Sequence, residues 1–278
     1  MASNESTTPS MTATAVSIKP PKTVYLIRHA ESEENRRIAA LSRTFKTLGR
    51  FSLPKSADVY ASTELLHVQG QVDSNVSEIG AKQISHMKHK LQQDDFVVSS
   101  GIQLVVHSPL LRARQTSEGM LGCLTAASAD HDGQLSDLKA ESVKRVVQTN
   151  LLLEKTPSEW TPLYYAGFIQ RIQDFEKWLW DQEEETVALV GHSQFFKAML
   201  GLNFKFGNCE VWKVTFDPSK VAKESGVVSA TTIDAAQDEK KEDFTANLSH
   251  GNEWKLPPQW TNLEKKYTCD VASSSKTI

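Results

Sequence analysis

Three short apolar runs constrain this chain more than any other feature, because each one stops at residues built for chemistry. They are Thr23-Val-Tyr-Leu-Ile-Arg28, Ile102-Gln-Leu-Val-Val-His107 and Thr186-Val-Ala-Leu-Val-Gly191. Runs of this length are too short for ordinary helices, and they lack the strict alternation of a strand with one wet face. They read as strands buried on both faces, as in parallel sheets covered by helices. Helical segments lie between them. Ser77 can N-cap a helix running to about Leu91, with Ile79, Ile84, Met87 and Leu91 as its apolar stripe. Ser108-Pro109 places an N-cap ahead of a proline at the first helical position. Tyr165, Phe168, Ile169, Ile172, Phe175, Trp178 and Leu179 recur at helical spacing. Ser193 to Leu200 reads as a short helix stopped by Gly201. Strands alternating with helices predict an α/β fold: a three-layer α/β/α sandwich with a mostly parallel central sheet.

A chain of 278 residues, 39% apolar and 23% charged, can bury one such core. The expected domain spans residues 23–268. Residues 1–22, rich in Ser, Thr, Ala and Pro, read as a disordered tail, and 269–278 as a loose one. Two stretches carry no clear period and read as insertions, 39–71 and 220–250; the second holds the charge run Asp238 to Asp243. With 31 basic against 34 acidic side chains, the net charge of −3 argues against a strongly basic nucleic-acid binder. No apolar run approaches the ~20 residues that span a bilayer. No secretory pattern opens the chain, so a cytoplasmic location is expected, with organelle targeting by the N-terminal tail left open. Cys123, Cys209 and Cys269 form no CxxC pair and read as reduced, structural thiols. His67, His86, His89, His131 and His250 show no ligand spacing, so no metal site is expected, and nothing calls for a cofactor.

The residues just past each predicted strand are more informative. The first strand ends in Arg28-His29, the second in His107-Ser108 just before Arg112, and the third in Gly191-His192-Ser193. Open α/β sheets bind ligands beyond the carboxyl ends of their strands. Two arginines, two imidazoles and helix amides gathered there suit a dianionic phosphoryl group. His107, next to the Ser-Pro turn, reads as structural, and Arg114 as facing another side of the helix. The Gly191-His192-Ser193-Gln194-Phe195 stretch is a poor nucleophile elbow, because Phe195 replaces the second glycine and only His250 lies downstream as a base.

The same residues carry a family resemblance. Leu26-Ile-Arg-His-Ala-Glu-Ser-Glu-Glu-Asn35 resembles the RHG motif of the histidine phosphatase superfamily, with its phosphoglycerate-mutase-like fold; Ala30 stands where glycine is usual. Val76-Ser-Glu-Ile-Gly80 with Gln83 is similar to that family's LTxxGxxQA block, Ser108 to Thr116 to its SPLxRAxQT block, and Val190 to Ser193 to its second histidine motif. The four blocks occur in the family's order and cover about residues 23–216.

The resemblance implies a phosphomonoester hydrolase in which His29 is the nucleophile and forms a phosphohistidine. Its other ring nitrogen is then expected to donate a hydrogen bond, a backbone carbonyl being one candidate. Arg28, Arg112 and His192 would hold the phosphoryl oxygens. Asn35 and Ser32 lie on the loop where the family also contacts phosphate, and Gln194 offers a backbone amide. Glu154, after Leu151-Leu-Leu153, fits the family's general acid, with Glu159 and Asp132 as alternatives. The partner implied is a phosphorylated small molecule, a phosphoprotein being the other candidate; oligomeric state is unreadable. A mutase-type phosphoryl transfer is an alternative, although Glu154-Lys-Thr-Pro-Ser and Ser193-Gln-Phe-Phe depart from the mutase patterns. A catalytically weak phospho-ligand-binding member is the other.

Overall fold

Six strands form one sheet in the order β3-β2-β4-β1-β5-β6 in the computed structural model, which describes residues 19–37, 73–123, 143–156, 159, 162–224 and 255–273. The strands are β1 (Lys22–Arg28), β2 (Leu104–His107), β3 (Arg145–Gln148), β4 (Thr186–Gly191), β5 (Val211–Phe216) and β6 (Trp260–Tyr267). The first four run parallel, with β4 paired to both β1 and β2. Strands β5 and β6 join antiparallel on the far side of β1. The mixed, mostly parallel sheet and its helices match the expected α/β class.

Alternate side chains on the strands build two cores. Val24, Leu26, Leu104, Val106, Val187 and Leu189 face one side, where they pack on helix α4 (Pro162–Asp181) and helix α5 (Ser193–Met199). Tyr25, Ile27, Val105, Ala188 and Val190 face the other, against α1 (Glu78–Gln93), α2 (Phe96–Ser99) and α3 (Leu111–Leu121). A last short helix, α6 (Ser219–Glu224), follows β5. Period-two alternation with both faces apolar is what produced the continuous apolar runs. Phe195 is fully buried and lies edge-on to Phe168 and Phe175 of α4. Its truncation to alanine should cost about 3–5 kcal/mol, as large core deletions do.

Several sequence expectations shift. Met87 and Leu91 of the expected stripe are buried on the inward face of α1 and Ile84 packs partly buried against the same core, while Gly80 and Gln83 stand there in place of Ile79, because the helix sits too close to residue 31 for a bulky side chain. A Cβ on Gly80 would lie 2.1 Å from the Glu31 carbonyl oxygen. Ser77 does cap α1, accepting from the Gly80 amide at 3.1 Å. Ser108 is not the N-cap residue: α3 begins at Leu111, two residues beyond the proline, although Ser108 Oγ accepts from the Leu110 amide at 3.3 Å. Strand β2 starts at Leu104, although Ile102 is still fully buried. Lys22, placed in the tail by composition, opens β1. Val271 and Ser273, which composition also places in a tail, accept bonds from Gln83 Nε2 at 3.3 Å each. Trp260 packs the C-terminal segment onto the body by stacking on Phe216, ring centroids 4.4 Å apart. Residues 39–71 and most of 220–250, with Val227, Val228 and the Asp238–Asp243 run, lie outside the described residues, as do 1–18 and 274–278. No described helix is long and apolar enough to cross a membrane.

Candidate active site

The register of the sheet brings three distant segments to one place. Arg28 pairs with Gly191, and His107 pairs with Val190, so β1, β2 and β4 end level with one another. The chain leaving each strand is tied to its neighbour: the His29 amide donates to Gly191 O at 2.9 Å and the Ser108 amide to Val190 O at 3.0 Å. His29, Ser108 and His192 therefore meet at the carboxyl edge. A Cβ on Gly191 would lie 3.0 Å from Phe196 Cζ, so glycine at this position leaves room for the ring that backs the His192 turn.

His29 is almost wholly buried, and its Nδ1 lies 2.6 Å from the Ala30 carbonyl oxygen. A carbonyl can only accept, so Nδ1 carries the proton and Nε2 keeps its lone pair. Burial holds the imidazole well below its ordinary value of 6.5, and the nearby His192, Arg112 and Arg28 push the same way. His29 is thus neutral, with an unprotonated Nε2. The backbone around it is held from several sides. The Ala30 amide donates to Thr116 Oγ1 at 2.9 Å, the Glu31 amide to Gln83 Oε1 at 2.9 Å, and Asn208 Nδ2 to the His29 carbonyl at 2.9 Å. Ala30 is not among the described residues with positive φ, so the turn does not require the glycine of the motif.

His192 lies close by, its ring centroid 5.0 Å from that of His29. Glu154 Oε2 stands 3.3 Å from His192 Nδ1, and Ser108 Oγ 2.9 Å from Nε2. With an ionised Glu154, the proton belongs on Nδ1 and the Ser108 hydroxyl donates to Nε2. Burial alone raises the Glu154 carboxyl, but His192, Arg112 and Arg28 outweigh it and hold the group below its usual range. The loop bearing Glu154 is fixed from α4: Arg171 Nη1 donates to Leu153 O at 2.6 Å, and its Nη2 pairs with both Glu159 carboxylate oxygens at 3.0 Å. Glu159 is therefore engaged with Arg171 rather than with the histidines, and Asp132 lies outside the described residues.

Arg28 and Arg112 are both buried deeply enough to act on His29 and Glu154. Arg28 Nη1 donates to Phe206 O at 2.6 Å, and burial lowers its pKa against the pull of Glu154 and Glu210. Arg112 is 4% exposed and its Nη1 lies 3.2 Å from Glu34 Oε2. Ser32 and Asn35 use their side chains on each other. The Asn35 backbone N–H donates to Ser32 Oγ at 3.2 Å, and the Ser32 hydroxyl donates to Asn35 Oδ1 at 3.1 Å, capping the helical turn at 33–37. Arg114 faces elsewhere, 3.9 Å from Glu118, and His107 Nδ1 donates to Ser108 O at 2.8 Å. Ser193 Oγ, buried, has no hydrogen-bond partner among the described residues, so no base activates it as a nucleophile.

Sequence reasoning missed Ser108 as a partner of His192, Glu34 as a partner of Arg112, and Asn208 as a tie on His29. Ser108 is legible as the residue after a strand, but its place before a proline reads as a cap. Glu34 and Asn208 carry no periodic or motif signal. His29, Glu154 and His192 each offer a ligand atom within 4.8 Å of the others, a spacing open to a metal ion. The two buried guanidiniums acting on the same groups favour an anion there instead.

The chain matches the family described as the histidine phosphatase superfamily (branch 1) over residues 60–223, more than half its length. That span contains Arg112, Glu154 and His192, while Arg28 and His29 precede it, across the 39–71 stretch. No curated protein sequence matches the chain. Similar solved structures include an Escherichia coli K-12 protein proposed as an alpha-ribazole-5'-P phosphatase, with 17% identity over 70% of this chain and 91% of that one, TM-score 0.43. Another is phosphoserine phosphatase from Entamoeba histolytica in complex with 3-phosphoglyceric acid, with 14% identity, 70% and 91% coverage, TM-score 0.40. A third is a mycobacterial glucosyl-3-phosphoglycerate phosphatase, with 15% identity, 70% and 91% coverage, TM-score 0.40.

Proposed function

Since the chain belongs to the histidine phosphatase superfamily, we propose that it hydrolyses a phosphomonoester of a small molecule through a phosphohistidine on His29. The observation that carries this reading is a neutral imidazole, its Nδ1 proton fixed on Ala30 O at 2.6 Å, set among buried guanidiniums. Nε2 of His29 attacks phosphorus as the ester P–O bond breaks. The leaving alkoxide takes a proton from Glu154 and departs as the alcohol. Water then attacks the phosphohistidine, giving its proton to Glu154, and inorganic phosphate leaves. Arg28 and Arg112 bind the phosphoryl oxygens and stabilise the charge that spreads over them, with His192 beside them. Ser32 and Asn35 shape the loop between His29 and that pocket, and Asn35 retains its amide hydrogens for a phosphoryl oxygen.

Before substrate binds Glu154 is a carboxylate, because the neighbouring cations outweigh its burial and hold its pKa down. A phosphoryl dianion cancels their field and raises the carboxyl toward its protonated form, so the substrate itself arms the acid. No step requires a metal ion.

The test is phosphate release from p-nitrophenyl phosphate and a panel of small phosphomonoesters, with EDTA present, by wild type and His29→Ala. Activity that persists in EDTA and disappears in the variant supports the reading. Activity that survives in His29→Ala, or that EDTA abolishes, overturns it.

A further inference from the structure

Arg112 does not stand empty. Glu34 Oε2 lies 3.2 Å from its Nη1, with the Arg112 side chain 5% and the Glu34 side chain 27% exposed. A carboxylate and a phosphoryl group present the same pair of oxygens to a guanidinium fork, so they compete for one place. We propose that Glu34 is an internal competitor for the phosphoryl group, occupying Arg112 in the empty enzyme and giving way when phosphate binds. This rests on the reading of Arg112 as a phosphate ligand.

Which partner moves is decided by burial. Arg112 is enclosed in α3, whereas Glu34 is partly exposed on the helical turn at 33–37.

The groups acting on Glu34 are Arg112 from α3, Arg37 from its own turn, Asp73 ahead of α1 and Glu154 from the loop after β3. Burial raises its pKa above 4.5, Glu154 and Asp73 add to this, and the two arginines oppose it. Competition should therefore fade as Glu34 takes a proton and grow as it loses one.

The experiment is calorimetric titration with inorganic phosphate from about pH 5 to about pH 8, where phosphate and histidines titrate alike in all variants. Glu34→Gln is compared with wild type at each pH, which cancels those shared titrations. At the alkaline end Glu34→Gln should bind phosphate about fivefold to tenfold more tightly, the scale of one partly exposed ion pair. The ratio should fall toward one as the pH drops. Glu34→Asp should keep the wild-type trend. Glu33→Gln, which removes the same charge from a residue paired with Arg36 at 2.6 Å, should track wild type. Equal or weaker binding by Glu34→Gln at the alkaline end overturns the inference and leaves the phosphatase reading intact, provided Arg112→Ala still loses phosphate. Binding by neither wild type nor Glu34→Gln overturns both.

Discussion

The two ends of the central sheet treat their charged groups in opposite ways. At the amino ends of the strands, Lys22 Nζ donates to Gln182 O and Glu184 O, each at 2.7 Å. Arg145 meets the Glu184 carboxylate twice, Nε to Oε1 at 2.8 Å and Nη2 to Oε2 at 3.0 Å. Gln103 Oε1 accepts from the Glu185 amide at 2.9 Å. Lys22, Arg145 and Glu184 thus each have a fixed partner there, and Lys19 Nζ donates to the last carbonyls of α4, Trp180 O at 3.2 Å and Asp181 O at 3.3 Å. At the carboxyl ends, Arg28, His29, Arg112 and His192 share a small space with Glu34 and Glu154. These groups depress or raise one another's proton affinity and leave Nε2 of His29 unprotonated. Fixed pairs hold one end; on the proposal made above, the pairs at the other end exchange when phosphate binds.

The contrast can be broken first at Glu154. Glu154→Gln should lower kcat/KM on an alkyl phosphate, which reports the steps up to departure of the alcohol and not the later attack by water, about 10²- to 10⁴-fold, the range of a lost general acid. Loss on p-nitrophenyl phosphate should be far smaller, because nitrophenolate leaves without a proton. Equal losses on both substrates would remove Glu154 from the acid's role. Next comes Arg112→Ala, expected to reduce kcat/KM about 10²- to 10³-fold, as for a lost charge-stabilising donor. An unchanged kcat/KM with a native circular dichroism spectrum would place the phosphoryl group elsewhere.

Acid should weaken the two ends in different windows. His29, His107 and His192 are held below 6.5 chiefly by burial, so the unfolded chain binds protons that the folded one refuses. Their effect is to lose stability as pH falls below 6.5, by up to about 1.4 kcal/mol per histidine for each pH unit. Glu184 is held below 4.5 first by its hydrogen bond from Arg145. Its contribution is present above 4.5 and is lost only as pH falls through the lower, folded value. Urea unfolding between about pH 7.5 and about pH 5.5 should show the histidine slope, and His29→Ala should flatten it. An unaltered slope in that variant would mean that His29 is already protonated. The smallest effect belongs to the amino end. Glu184→Gln should cost about 1 kcal/mol or less, since Arg145 is half exposed, and should leave kcat unchanged. A fall in kcat would show that the two ends are coupled.

Legibility in the sequence divides along physical lines as well. Strands β1, β2 and β4 are readable because both their faces are buried, which leaves an unbroken apolar run. Strand β3 offers only Val146 and Val147 between exposed Arg145 and Gln148, so no period can develop. In β6 every second residue meets solvent, and Asn262, Glu264 and Lys266 dilute the signal. The stripe on α1 is legible at Ile84, Met87 and Leu91 but not at its start, where the inward positions hold glycine and glutamine, suited to close approach and to bonding Glu31 rather than to apolarity. In the site, His29, His192, Arg28 and Arg112 are legible because strand ends locate them. The meeting of Glu34 with Arg112 and of Ser108 with His192 depends on side-chain direction across elements far apart in sequence, which no local pattern encodes.

The strand order has a consequence in time. Strand β4 lies between β1 and β2, and β5, the other neighbour of β1, is made later still. Thr23 therefore waits for Thr186 before β1 can pair at all. At about 5–20 residues per second of synthesis, the apolar segment Val24 to Ile27 stays without a sheet for roughly ten to thirty seconds. During that interval it is a natural target for holding chaperones and a hazard for neighbouring nascent chains. A fragment released before Gly191 carries His29 but none of the turn that holds His192, so truncated products should emerge sticky and inert.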